Sequence, residues 1–177
     1  MRAQYLLAAV TIMALIGIAC QGGHSGPTVQ NAEPDTHSQM ASNVLMGDPK
    51  AGAQLLSGFY GIENSAWRWT AGRFSVQLRT PPGAAQMGGL LSLSFTIPDV
   101  TIRKLHHVKI TASINGMVLK SSEFDTAGAY VFSTDVPASM LAADSVKVDF
   151  VLDRSLSPGV DKRELGIIAT SVGISPR

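Results

Sequence analysis

The stretch Val108-Lys109-Ile110-Thr111-Ala112-Ser113-Ile114-Asn115-Gly116-Met117-Val118-Leu119 decides the fold class. Val108, Ile110, Ala112 and Ile114 fall on one side of an extended chain, and Lys109, Thr111 and Ser113 on the other, because successive side chains of a strand point to opposite faces. Asn115-Gly116 follows without a spacer. Both residues tolerate the positive φ that a type I′ turn requires, so the chain is expected to reverse there into a second antiparallel strand.

The same alternation recurs on either side. Phe74, Val76 and Leu78 alternate with Ser75 and Gln77 until Thr80-Pro81-Pro82-Gly83 stops the strand. Leu91, Leu93, Phe95 and Ile97 alternate with serines and a threonine up to Pro98. Tyr130 to Val136 reads as a strand stopped by Pro137, Val146, Val148, Phe150 and Leu152 form another alternating set, and Leu165 to Ile174 closes the series. Lys50 to Leu56 and Ala138 to Ala143 suit short helical turns. Many short strands, regular turn signals and no long amphipathic helix predict an all-β chain, a single antiparallel β-sandwich of jelly-roll or carbohydrate-binding-module-like form.

Composition agrees with one core-forming domain. Of the 177 residues, 45% are hydrophobic and 15% charged, and 14 Lys and Arg balance 13 Asp and Glu. No basic stripe is present, so nucleic acid is not expected as a partner. The expected layout is a signal peptide over 1–19, a flexible tether over 20–54 carrying the possible short helix, and the sandwich over 55–177. The tether assignment rests on the Gly, Ser, Asn, Gln, Pro and His content of Gln21 to Asp48.

The amino end has its own chemistry. Arg2 precedes an apolar run, Tyr5 to Ile18, too short to span a bilayer comfortably, and Cys20 is the one cysteine of the chain. Gly17-Ile18-Ala19-Cys20 is similar to the lipid-attachment site of bacterial lipoproteins, with Gly17 standing where Leu, Val or Ile is usual. The resemblance implies that Cys20 is acylated, palmitate included. With Gln21 next rather than aspartate, it implies an outer-membrane lipoprotein of the cell envelope, facing the periplasm or the surface. The membrane would then be a partner through the lipid. Secretion with cleavage elsewhere, or a short uncleaved anchor, is the alternative.

Two clusters stand out within the domain: Gly58-Phe59-Tyr60-Gly61-Ile62-Glu63 followed by Trp67-Arg68-Trp69-Thr70, and Pro158-Gly159-Val160-Asp161-Lys162-Arg163-Glu164-Leu165-Gly166-Ile167. Gly-Phe-x-x-x-Glu, Trp-Arg-Trp-Thr and Asp-x-Arg-x-Leu-Gly-Ile together resemble the C-terminal β-sandwich domain of bacterial membrane glycosyltransferase-like and phosphoglycerol-transferase-like proteins. The resemblance spans Gly58 to Ile174 and implies an accessory, carbohydrate-associated module. It brings no catalytic residues with it, and the chain has neither a catalytic domain nor a multi-span membrane region of that kind.

Read from the residues, tryptophan faces stack on sugar rings while Arg, Glu and Asp hydrogen-bond hydroxyls. Glu63, Trp67, Arg68, Asp161 and Arg163 are therefore the ligand-binding candidates. The competing reading has Trp69 in the core and Glu63 or Asp161 paired with Arg163 as a clamp between the first strand and the last loop. His106-His107 cannot share one ion from regular strand geometry, and Asp144, Asp149 and Asp153 lack calcium-loop spacing, so no metal and no cofactor is expected. No nucleophile elbow or phosphate loop occurs. The expectation is a non-enzymatic envelope module binding glycan or another cell-envelope component, with glycan or an envelope protein as its partner. An assembly factor using a sheet edge, or an enzyme acting on polysaccharide through Glu63 and Asp161, is the alternative.

Overall fold

The computed structural model describes residues 40–177. The leader, Cys20 and most of the expected tether lie outside them. The deciding hairpin is present. β5 (Val108–Ile114) and β6 (Met117–Phe124) pair antiparallel with Ile114 opposite Met117. Asn115 and Gly116 turn the chain at φ 51° and 78°. Around it stand β1 (Asn43–Leu45), β2 (Leu55–Phe59), β3 (Arg68–Arg79), β4 (Gly89–Ile97), β7 (Gly128–Val136), β8 (Ser145–Leu152) and β9 (Ile168–Pro176). All pairings are antiparallel, and the chain is a β-sandwich.

One layer runs β2-β3-β8-β5-β6 and the other β1-β9-β4-β7, and β3 belongs to both. Its start, Arg68 and Trp69, pairs with Ala169 and Ile168 of β9, whereas Arg73 to Arg79 pairs with Val151 to Ser145 of β8. On the opposite side β6 approaches β7, where Lys120 Nζ donates to the Ser133 carbonyl at 2.9 Å. The barrel-like stack is thereby nearly closed, which leaves little free sheet edge.

The alternating apolar residues fill the space between the layers. Phe74 of β3 stacks on Phe150 of β8 at 5.0 Å, Phe59 of β2 meets Phe74 edge-on, and Phe132 of β7 meets Phe150 edge-on from the other layer. Valines, leucines and isoleucines of β3, β4, β5, β8 and β9 complete the core. Two helices that alternation does not reveal join strands: α1 (Ala84–Met87) and α2 (Asp99–Leu105). The helical turn expected after Pro137 is a 3-10 turn, Ala138–Met140.

The amino-terminal boundary differs from expectation. Residues 43–54, read as the end of a tether, are part of the sandwich: β1 pairs with Ser171 to Gly173 of β9, and Val44 and Met46 are buried in the core. The expected short helix there is a 3-10 turn, Pro49–Ala53, capped by the Asp48 side chain. Gln54 ties this segment down. Its amide donates to the carbonyls of Ala41 and Gln77 and accepts from the Ala41 N–H, all at 2.7–2.9 Å. A buried amide so satisfied costs little and specifies one register. Met46→Ala is expected to destabilise the fold by about 2–5 kcal/mol, seen as a lower urea midpoint. An unchanged midpoint would return this segment to the tether.

Candidate functional site

The first cluster forms the approach to β3. Asn64 and Ser65 both adopt left-handed φ, 50° and 54°, in a tight turn that sets Glu63 opposite Trp67 as an isolated bridge. The Glu63 N–H donates to the Trp67 carbonyl at 2.9 Å, and the Ala66 and Trp67 N–H groups donate to the Glu63 carbonyl. Trp67 and Trp69 meet edge-to-face with centroids 6.4 Å apart. Both are half-buried. Trp69 is therefore not a core residue: it alternates with Thr70, Gly72, Phe74, Val76 and Leu78, which are buried, and so falls on the other face of β3.

Arg163 is the hub of the second cluster. Its Nη1 donates to Glu63 Oε1 at 2.8 Å, its Nη2 to Asp161 Oδ2 at 2.8 Å, and its Nε to both Asp161 oxygens at 3.1 and 3.2 Å. The backbone N–H of Arg163 also donates to Asp161 Oδ1 at 2.9 Å, an Asx turn that makes the Asp-x-Arg spacing legible. The guanidinium lies 5.2 Å from the centre of the Tyr60 ring, and the Tyr60 hydroxyl donates to the Glu164 carbonyl at 2.8 Å. The loop entering β9 is thus pinned to the segment between β2 and β3. Both alternatives raised for Arg163, a pair with Glu63 and a pair with Asp161, occur together.

Arg68 does not join this group. Its Nε donates to the Met46 carbonyl and its Nη1 to the Tyr60 carbonyl, each at 3.0 Å. It anchors the segment after β1 and reaches the Arg163 hub only through Tyr60. Tyr60 and Glu164 are the members that sequence reasoning left out. Tyr60 was visible as an aromatic in the first cluster, but its two contacts bridge more than a hundred residues of sequence and no local pattern encodes them.

The hub's electrostatics follow from these bonds. The Arg163 side chain and N–H hold the Asp161 carboxyl down, to about 2. Asp161 first, and then Glu63, hold the guanidinium above its ordinary range. His106 and His107 are separated as expected. His106 ends α2 at φ 68°, and His107 Nε2 faces Asp153 Oδ2 at 3.3 Å. Burial works against the Asp153 charge, but the Lys109 N–H and Arg154 outweigh it and lower its pKa. Asp149 pairs with Lys147 at 2.9 Å. Among the described residues no group of three or more His, Cys, Asp or Glu side chains could hold a metal ion.

No protein-family profile matches the chain, and no curated protein does. Solved structures resemble it only distantly. The CBM51-2 and INT domains of ZmpB from Clostridium perfringens, in complex with GlcNAc, align over 76% of this chain and 28% of theirs at 12% identity and a TM-score of 0.38. A CBM4 structure aligns over 76% of this chain and 85% of its own at 14% identity and a TM-score of 0.34. Dimeric latent PorU from Porphyromonas gingivalis aligns over 58% of this chain at 10% identity and a TM-score of 0.33. This chain spans 10% of PorU and 28% of the ZmpB chain. At such scores the assignment of fold rests on the strand pairing itself.

The hub has a pH signature. Because the folded Asp161 pKa lies below the unfolded value of about 3.9, its contribution is complete above that value and is lost as pH falls toward the folded one. A carboxyl-carbon NMR titration is expected to place Asp161 at about 2, and Arg163→Gln is expected to move it up toward ~3.9. An Asp161 that already titrates near the unfolded value in the wild type would show that the hub does not form.

Proposed function

We propose that this chain is a non-catalytic, membrane-anchored envelope module that binds glycan through the end of the sandwich where β3 begins. The observation that carries the reading is the half-buried Trp67–Trp69 pair, held beside Glu63 by a turn that spends two left-handed residues on its shape. Two indoles meeting edge-to-face present an L-shaped apolar surface, and a sugar ring stacks on one wall while its rim stays wet. The Arg163 hub is the clamp that keeps the turn and the last loop together, and Arg68 fixes the same end to the segment after β1.

The non-catalytic part of the reading has its own support. A glycosidase general acid needs a carboxyl with a raised pKa. Asp161 is pushed the opposite way, and both it and Glu63 are spent on one guanidinium. The anchor is read from Cys20, with the membrane as partner and the outer membrane as location. Palmitate labelling of the full chain in a bacterial host tests it, with incorporation expected for the wild type and lost in Cys20→Ala.

Tryptophan fluorescence tests the binding surface. A panel of oligosaccharides is expected to include one that quenches the emission, and Trp67→Ala is expected to weaken its binding at least about fivefold with an unchanged thermal midpoint. Removing an aromatic stacking wall costs about 1–3 kcal/mol by analogy with other planar ligands. Equal affinity in the wild type and Trp67→Ala would end the reading of this surface as the binding site.

A further inference from the structure

We propose that a pocket outside the Trp67–Arg163 end, where β3 crosses between the layers, recognises a pair of adjacent hydroxyls on a sugar ring through Arg73 and Glu164. The inference rests on the glycan-binding reading above and assigns that ligand a second, polar contact. The pocket encloses about 310 Å³, at the low end for small-ligand sites, which suits one ring rather than a long chain. Its walls come from β3 on either side of Gly72, from the end of β8 and from Glu164.

The polar groups in this pocket divide into spent and unspent. Asp153 Oδ1 accepts the Lys109 N–H at 2.6 Å, and Oδ2 accepts Arg154 Nε at 3.2 Å and faces His107. Arg154 Nη1 donates to the Leu105 carbonyl at 2.8 Å. Glu164 Oε1 accepts the Gly72 N–H at 3.2 Å and the Ser155 hydroxyl. Among the described residues, however, Glu164 Oε2 accepts from no group and the Arg73 guanidinium donates to none, its strand partner being the apolar Val151. The pocket therefore holds one planar donor with five N–H groups and one free carboxylate oxygen. The contrast with Arg163, whose three nitrogens are all engaged, is direct.

An unspent donor and an unspent acceptor lining one pocket match a diol. One hydroxyl donates to Glu164 Oε2, and its neighbour accepts from Arg73. A simple anion fits less well, because Arg73 and Arg154 are balanced by Asp153 and Glu164. The two donors on Oε1 hold the Glu164 carboxylate in place before any ligand arrives, so little ordering cost is left for binding. Gly72 leaves room for this arrangement. A Cβ at that position would run into the Glu164 carboxylate and the Ser155 hydroxyl.

Amide NMR on the full chain, titrated separately with cellotriose, maltotriose, chitotriose, mannotriose and inorganic phosphate, tests the proposal. One neutral trisaccharide is expected to shift the Gly72, Arg73 and Ser155 amides, and Arg73→Met and Glu164→Gln are each expected to weaken it about tenfold with unchanged melting. Shifts confined to the Trp67 and Trp69 indole N–H signals, with full affinity in both variants, would overturn this contact and leave the tryptophan surface standing. No response to any trisaccharide in either set would overturn both. Phosphate alone moving the Gly72 and Arg73 amides would replace the diol by an anion.

Discussion

A single strand serving two sheets is the constraint on which the rest of this molecule depends. β3 leaves β9 after Trp69 and joins β8 at Arg73, so the backbone groups in between fall out of these two ladders and need partners elsewhere. Thr70 and the Gly72 N–H find theirs in one loop. The Thr70 N–H donates to the Ile167 carbonyl, the Thr70 carbonyl accepts from Gly166, and the buried Thr70 hydroxyl accepts the Ile167 N–H. Glu164 takes the Gly72 N–H. Every one of these partners belongs to the loop entering β9, which is why that loop is pinned and cannot be a free connection.

The candidate site is a consequence of that crossing. Because the even-numbered residues of β3 from Thr70 to Leu78 face the interior, Trp67 and Trp69 fall on the other face of the strand and stay half-buried. Because the β9 loop must come alongside, Asp161 and Arg163 arrive next to Glu63, a hundred residues away in sequence. The ion pairs add modestly to stability, as exposed pairs do. Their larger effect is geometric, since a bidentate guanidinium held by two carboxylates and resting on Tyr60 has one orientation.

The parts of this fold that read directly from sequence are those where one face is dry and the other wet. β4, β5 and β8 bury alternate residues along their length, and Asn115-Gly116 turns where its chemistry requires. Elsewhere alternation fails as a guide. β1 is only three residues long, and a period of two cannot be recognised in Asn43-Val44-Leu45, although Val44 and Met46 are as buried as any residue of β4. α2 lies just beyond Pro98, which was legible as the end of a strand and carried no sign of the helix that follows. Trp69 looked like core because large aromatics usually bury, but the buried Phe74, Val76 and Leu78 put it on the opposite face of β3.

Sequence by itself determined that the chain pairs as antiparallel ribbons around one apolar interior, because local alternation and turn chemistry act over a few residues. It also singled out Glu63, Trp67, Arg68, Asp161 and Arg163, in two separate clusters, as polar and aromatic groups of interest. Which of them are engaged with one another, and which face outward, was decided only by tertiary structure. Arg163 is spent on Asp161 and Glu63 while Arg73 is left free, and both outcomes depend on where β3 changes sheets. A hydrogen bond is a matter of ångströms between groups that the chain brings together from far apart, and no spacing along the sequence carries that distance.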